Sequence, residues 1–204
     1  MALPKKTKDS DQKREIAPRE RILEAARNLF YSRGIRAVSV DEIAAEADTN
    51  KMTLYRHFES KDRLVAEYLR SLSEQADAVW GELARKYPGD PLAQLQAWIE
   101  GLCKVLSHSS ERGCALANAA VEIPEKDHPA RPIIEEHKTH QRAQLARLCS
   151  EAHFVDAEKT ADEIFLLLEG ARINVQSVGR RGPCARLTDM LLAILKSHPR
   201  RHKK

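Results

Sequence analysis

The chain contains no apolar run approaching the ~18 residues that a membrane-crossing helix requires, so no spanning segment is expected. It has no strand-like alternation of polar and apolar residues and no internal repeat, which leaves an all-α class. Cysteine is scarce: Cys103, Cys114, Cys149 and Cys184 lie far apart, with no C-x-x-C pair among them. That pattern argues against a disulfide framework and for reduced, buried thiols in the cytoplasm. A glycine-rich phosphate loop, a nucleophile elbow and metal-ligand spacing are all missing, so an enzyme is not expected, and neither is a cofactor. Nor is there much excess of one charge: 34 Lys and Arg stand against 30 Asp and Glu, a formal net charge of +4. Such a balance suits a protein whose basic groups act locally, not one coated for nucleic acid. The opening MALPKKTKDS is charged with no apolar stretch behind it, so a secretory signal is not expected.

What is present is a hydrophobic content of 42% in 204 residues. This is enough for a core, and for one large domain or two small ones. Residues 39–62, SVDEIAAEADTNKMTLYRHFESKD, organise the reading. Ser39 can cap a first short helix, and Glu42 three residues later completes a capping box. Val40, Ile43, Ala44 and Ala47 recur at helical spacing and mark its apolar face. Asp48 and Thr49 interrupt the pattern, and Thr49 is expected to cap a second helix ending near Phe58. Leu54 and Phe58 are four apart and can face inward together. Asn50, Lys51, Thr53, Arg56 and His57 are left on the outer side, with Tyr55 among them. Reading a major groove needs this equipment: short polar groups for base edges and cations for phosphates. An ordinary solvated helix face has similar composition, so the spacing alone does not decide between the two.

The run TNKMTLYRHFESK at residues 49–61 resembles the recognition-helix signature of the tetracycline-repressor (TetR-type) family. Ile43-Ala44-Ala45-Glu46-Ala47 and Arg21-Ile22-Leu23-Glu24-Ala25-Ala26 are similar to that family as well, and the likeness runs through residues 19–68. Met52 departs from it by replacing a small residue, which could push the helix off its seat. Arg63 departs by standing where an acid often completes a capping box after Ser60. The resemblance implies a three-helix reading head with a helix-turn-helix at about residues 42–61, followed by a helical ligand-binding and dimerisation domain, about nine helices in all. It implies base reading by Thr49, Asn50, Lys51 and Thr53. Backbone contacts fall to Tyr55, His57 and Lys61, helped by Ser39 and Val40 at the start of the preceding helix.

The expected organisation is an N-terminal arm at residues 1–18, a reading domain at 19–79, a second domain at 80–198 and a basic tail at 199–204. Lys5, Lys6, Lys8, Lys13 and Arg14 make the arm either a solubilising tail or a phosphate-touching one. A helix over residues 19–32 should end at Gly34, and a long one should run from Ser60 to about Lys86 as a bridge to the second domain. Asp90 caps the next helix, with Pro91 at its first position. Cys114 to about Val121 is a short small-residue helix, a proline-containing loop follows, and then a helix covers residues 131–152. The helix from Asp156 or Ala157 to Val178 carries the continuous apolar run Ile164, Phe165, Leu166, Leu167 and Leu168, which needs cover on two sides. A last helix should start at Pro183. The resemblance makes these last two the dimerisation pair, through Phe165, Leu168, Arg172, Leu187, Met190, Leu191 and Ile194.

Polar groups on apolar helices are pocket candidates: Asn118, Glu122, His137, Glu169, Arg172 and Gln176, with Trp98, Leu102 and Phe165 as walls. Each could equally be a surface or satisfied core polar group. His137 and His140 form an H-x-x-H pair whose rings are expected on an exposed helix face, and a metal site would need more converging ligands. The function expected is a ligand-responsive DNA-binding transcriptional regulator, a repressor. It would bind a near-palindromic double-stranded operator as a homodimer and be released by a small-molecule effector. The alternatives are a redox- or metal-responsive regulator of the same fold, and a DNA-processing enzyme containing a helix-turn-helix.

Overall fold

Pro18 opens the first helix, α1 (Pro18–Arg33), at a position where its missing N–H leaves nothing unpaired. Gly34 closes it at φ 91°, and a Cβ there would stand 3.0 Å from the Glu122 carboxylate oxygens, so two separate constraints require glycine. The structure, a computed structural model, describes residues 16–108 and 112–201. Residues 1–15 of the expected N-terminal arm and the last three residues of the tail therefore lie outside it, while Pro18, the arm's last residue, belongs to α1. Among the described residues the chain forms nine α-helices and one 3-10 turn. After α1 come α2 (Val40–Glu46), α3 (Lys51–Phe58), α4 (Lys61–Lys86), α5 (Pro91–His108), α6 (Ala115–Glu122), α7 (Arg131–Glu151), α8 (Ala157–Val178) and α9 (Leu187–Ser197). No helix among these residues is long and apolar enough to cross a membrane.

Contacts divide the chain into two units. The first is the chain through Ser71 together with Leu116–Ile133; the second is Leu72–Ala115 with the chain from Ile134 onward. The expected boundary at residue 79 falls inside α4, whereas the contacts divide that helix after Ser71. Leu116–Ile133, expected in the second domain, groups with the first. The reason is polar. The Arg36 backbone N–H donates to Glu122 Oε2 at 3.0 Å, its Nε donates to the Glu122 carbonyl at 2.6 Å, and its Nη2 donates to Glu125 at 2.9 Å. His128 Nε2 lies 3.4 Å from Asp62 in the same unit.

In the first unit, Ile22, Phe30, Val38, Ile43, Leu54, Phe58, Leu64, Val65 and Tyr68 are buried together, with the Phe30 and Tyr68 rings 5.6 Å apart. The Ser39 capping box is present: the Glu42 N–H donates to Ser39 Oγ at 3.2 Å, and the Ser39 N–H donates to Glu42 Oε2 at 2.8 Å. These bonds, the backbone one first, with Arg33 adding to them, hold the Glu42 carboxyl at about 2. A depressed carboxyl supports the fold above its ordinary 4.5, and that support fades as pH falls towards 2. Ser39→Ala should cost about 1 kcal/mol of stability, read as a lower urea midpoint with an unchanged slope. An unchanged midpoint would mean the box contributes nothing. Ser60 caps α4 by accepting the Arg63 N–H at 3.1 Å, so only half a box forms there.

In the second unit, Leu95, Ile99, Leu145, Leu148, Ile164, Leu168, Leu191 and Leu195 form the core, and Trp80 stacks on Trp98 at 4.8 Å between ring centroids. Asp90 and Asp156 cap α5 and α8 by accepting the N–H groups of Ala93 at 2.9 Å and Lys159 at 3.1 Å. The last helix starts later than expected. Gly182–Arg186 is a 3-10 turn, entered at a positive φ of 74° at Gly182, and α9 begins at Leu187. The chain beyond α9 is not a loose tail as far as it is described. Phe154 and Arg200 form an antiparallel bridge, and the Val155 N–H donates to the Pro199 carbonyl at 2.9 Å. His198 lies 2.9 Å from Thr160 Oγ1 and 2.8 Å from Glu163.

Candidate nucleic-acid interface

The turn between α2 and α3 is built locally. Asp48 takes φ 49°, and the Thr49 N–H donates back to the Ala44 carbonyl at 2.9 Å. The cap of α3 is Asn50, not Thr49: the Thr53 N–H donates to Asn50 Oδ1 at 2.9 Å. Thr53 is the third helical residue, which an Asn side chain one position ahead of the helix reaches and Thr49 does not. The cap occupies one amide oxygen and leaves the Asn50 NH₂ as a donor. Leu54 and Phe58 are buried against the first unit's core and pin the helix from behind. Glu59 at φ 63° then turns the chain into α4.

On the outer side, Asn50, Lys51, Tyr55 and Arg56 are exposed, while Thr53 and His57 are half-buried. Lys51 pairs with Asp41 of α2 at 3.3 Å. His57 Nε2 is enclosed, with no hydrogen-bond partner among the described residues, and its ring lies edge-on to Phe58. Two expected contacts are placed differently. Val40 is buried and belongs to the apolar face of α2. Lys61 is half-buried: its ammonium donates to the Ile35 carbonyl at 2.7 Å and lies 6.0 Å from the Phe30 ring centre. Burial lowers its pKa despite the neighbouring carboxylates of Asp62, Glu122 and Glu42. Ser39 is exposed but committed to its capping box. Met52 is 79% exposed, so it is not wedged between α3 and the core.

The pocket candidates fall in both units. Asn118 and Glu122 group with the first unit, where the Glu122 carboxylate accepts from the Arg36 backbone N–H. Trp98 is core, and Leu102 and Phe165 pack on its margin. His137, Glu169 and Arg172 do share a cluster in the second unit. The Glu169 carboxylate accepts from Lys138 Nζ at 2.7 and 2.8 Å and from Arg172 Nη1. His137, expected to be exposed, is buried; its Nδ1 lies 3.1 Å from Ser73 Oγ, and its pKa is pushed down to about 4, by burial first and then by the charges of Lys138 and Arg172. Its H-x-x-H partner His140 lies 3.6 Å from Asp77 and 3.2 Å from Gln144, so the two rings are held by different partners. Gln176 Nε2 donates to the Arg112 carbonyl. Burial raises the thiol of Cys103, and that of Cys149 to about 12, which keeps both protonated at neutral pH.

The interface candidates also need correcting. Leu168, Leu187, Leu191 and Arg172 face inward and are buried within the chain's own second unit. The exposed large apolar side chains on these two helices are Leu166, Ile173 and Val178 on α8 and Met190 on α9. Leu166, Gly170 and Ile173 are spaced i, i+4, i+7, a signal that could have been read from the sequence.

A short helix, capped at one end, pinned through two apolar anchors and turning a polar edge outward behind a tight turn, is a helix-turn-helix unit. A family profile described as "Bacterial regulatory proteins, tetR family" matches residues 22–68, and one described as "Tetracyclin repressor-like, C-terminal domain" matches residues 91–191. The chain belongs to the TetR family of helix-turn-helix transcriptional regulators. It is 32% identical over 94 residues to the HTH-type transcriptional regulator AcrR of Shigella flexneri, a stretch covering 46% of this chain and 42% of that protein. It is 32% identical over 90 residues to the HTH-type transcriptional repressor KstR2 of Mycobacterium tuberculosis, covering 44% of each. The chain thus spans about half the length of the relatives it matches in sequence. A solved TetR-family transcriptional regulator from Streptomyces coelicolor superposes with a TM-score of 0.77 at 26% identity, over 88% of this chain and 92% of that one. Escherichia coli NemR in its reduced form also superposes with a TM-score of 0.77, over 91% and 99%, but at 18% identity it speaks for the fold alone.

Proposed function

We propose that this regulator is a repressor that binds a near-palindromic operator as a homodimer in the cytoplasm and leaves it when a small-molecule effector binds the second unit. One observation carries the reading: α3 is anchored by Leu54 and Phe58 and holds Asn50, Lys51, Tyr55 and Arg56 outward. Asn50, Lys51 and Thr53 are assigned to base edges, with Thr49 beside them. Tyr55 and His57 are assigned to the DNA backbone, His57 on condition that its ring turns the enclosed, unpartnered Nε2 outward to a phosphate oxygen. Lys61 joins them by leaving the Ile35 carbonyl for a phosphate. Repression is favoured because relatives such as KstR2 and DhaR are named repressors, although FasR is named an activator. The boundaries at residues 19–79 and 80–198 remain the working division of reading and effector parts. The continuity of α4 from Lys61 to Lys86 supports its role as the bridge between them. An effector shifts operator affinity only as far as it prefers one pose over the other.

The test is selection of bound sites from randomised duplex DNA, followed by affinity measurements at several salt concentrations. Enrichment of an inverted repeat and a steep loss of affinity with salt are expected. Lys61→Met retains the apolar stem over Phe30 and removes the charge. It should weaken all sequences alike and flatten the slope of log affinity against log salt by about one. A change of base preference with an unchanged slope would overturn the phosphate assignment. Failure to enrich any sequence would overturn the whole reading.

A further inference from the structure

Met52 has no structural task in the folded chain. It is 79% exposed on α3, while the apolar anchors of the same helix, Leu54 and Phe58, are buried. It sits between Lys51 and Thr53, two assigned base readers, and three residues ahead of Tyr55, itself 38% exposed. Residues three apart on a helix are surface neighbours, so Met52 and Tyr55 place an apolar strip inside an otherwise polar reading edge. Helical side chains lean towards the N-terminus. Met52 is therefore aimed past the Asn50 cap, at the end of α3 that enters a groove.

We infer that Met52 reads the C5-methyl group of a thymine, making it a specificity-determining residue of the recognition helix. The inference rests on the DNA-binding reading above. A thioether side chain cannot pair with a phosphate or satisfy the donors and acceptors of a base edge. The thymine methyl is the apolar group that a base pair presents in the major groove. Methionine is unbranched and polarisable, so it can adapt to that methyl without demanding one approach angle. Lys51 is drawn sideways to Asp41, 3.3 Å away, which leaves the Met52 stem uncovered.

The closing experiment uses the full chain and its selected operator. Each thymine of one half-site is replaced in turn by 2′-deoxyuridine, which removes the methyl and nothing else. Affinity is read by fluorescence anisotropy at fixed salt. One position should lose about four-fold in affinity, the worth of one buried methyl. Replacing the matching thymine in both half-sites should lose about sixteen-fold if the contributions add. Met52→Ala should bind the thymine and uracil operators equally, while Met52→Leu should still distinguish them. Because the side chain is exposed, the melting temperature should stay at the wild-type value. If no single replacement matters, or if the same loss persists in Met52→Ala, the assignment is overturned while the DNA-binding reading stands. If no preferred operator emerges at all, both fall together.

Discussion

Replacing Glu169 with alanine should destabilise the second unit by about 3–5 kcal/mol, because it leaves a buried cation without its partner. Arg172 is only 6% exposed, and both it and Lys138 donate to the one carboxylate of Glu169. Without that acid, two cations share a partly dry site, and Arg172 cannot relax into water without disturbing α8. Burial pushes the Glu169 carboxyl up, but Arg172 and then Lys138 more than offset this, so it titrates below its ordinary 4.5. Its support is thus present above that value and lost as pH falls through the lowered one. The gap between wild type and Glu169→Ala should narrow in acid. His137 adds a second acid sensitivity of the same sign. Its buried ring resists the proton that the unfolded chain takes up, so stability should decline as pH falls from 6.5 to about 4. Urea titrations at pH 7.5 and pH 5 check the His137 statement, and a further series carried below pH 4.5 checks the Glu169 one. Changing Glu169 and Arg172 together to leucine should recover much of the loss. If Glu169→Ala unfolds at the wild-type midpoint, the cluster is solvated and the argument fails.

The second large effect is expected on assembly. Leu166→Arg should turn the proposed homodimer into a monomer and lower operator affinity by orders of magnitude, since two half-sites are then no longer held by one particle. Leu166 is 66% exposed on α8, one turn ahead of the exposed Gly170 and two ahead of the exposed Ile173, beside a groove lined in part by Pro183, Cys184 and Met190. An apolar strip of this kind is costly in water and marks a contact surface. In a two-fold dimer the same patch meets its own copy, so one substitution places two guanidinium groups in the interface. Leu166 does not belong to the core, so helicity and melting of the protomer should change little. Light scattering behind size exclusion gives the mass, and gel shift with the selected operator gives the affinity. A dimer that survives Leu166→Arg would place the interface elsewhere.

Much of the reading head was legible because its determinants are local. Gly34, the Ser39–Glu42 box and the pair Leu54 and Phe58 act over four residues or fewer, and the structure shows each in the expected role, whereas Pro18, assigned to the N-terminal arm, instead opens α1. The Thr49 cap was misplaced by one residue, because Thr and Asn both serve as caps and only the chain's path shows which oxygen reaches the Thr53 N–H. The second unit was less legible. The run of residues 164–168 announced a helix needing cover on two sides, yet Leu168 turned inward and Leu166 outward.

Composition, caps and helical spacing by themselves determined an all-helical chain with two short helices joined by a tight turn near its start, since those signals depend only on neighbours in sequence. Tertiary structure alone decided that Glu122 serves Arg36 across 86 residues, that the Lys61 ammonium turns to Ile35, that His137 is buried, and that Arg200 pairs with Phe154. The physical reason is one of range. A helix's existence follows from contacts within a turn, but its rotation about its own axis, and the partner each polar group finds, are set by packing between segments far apart in the chain.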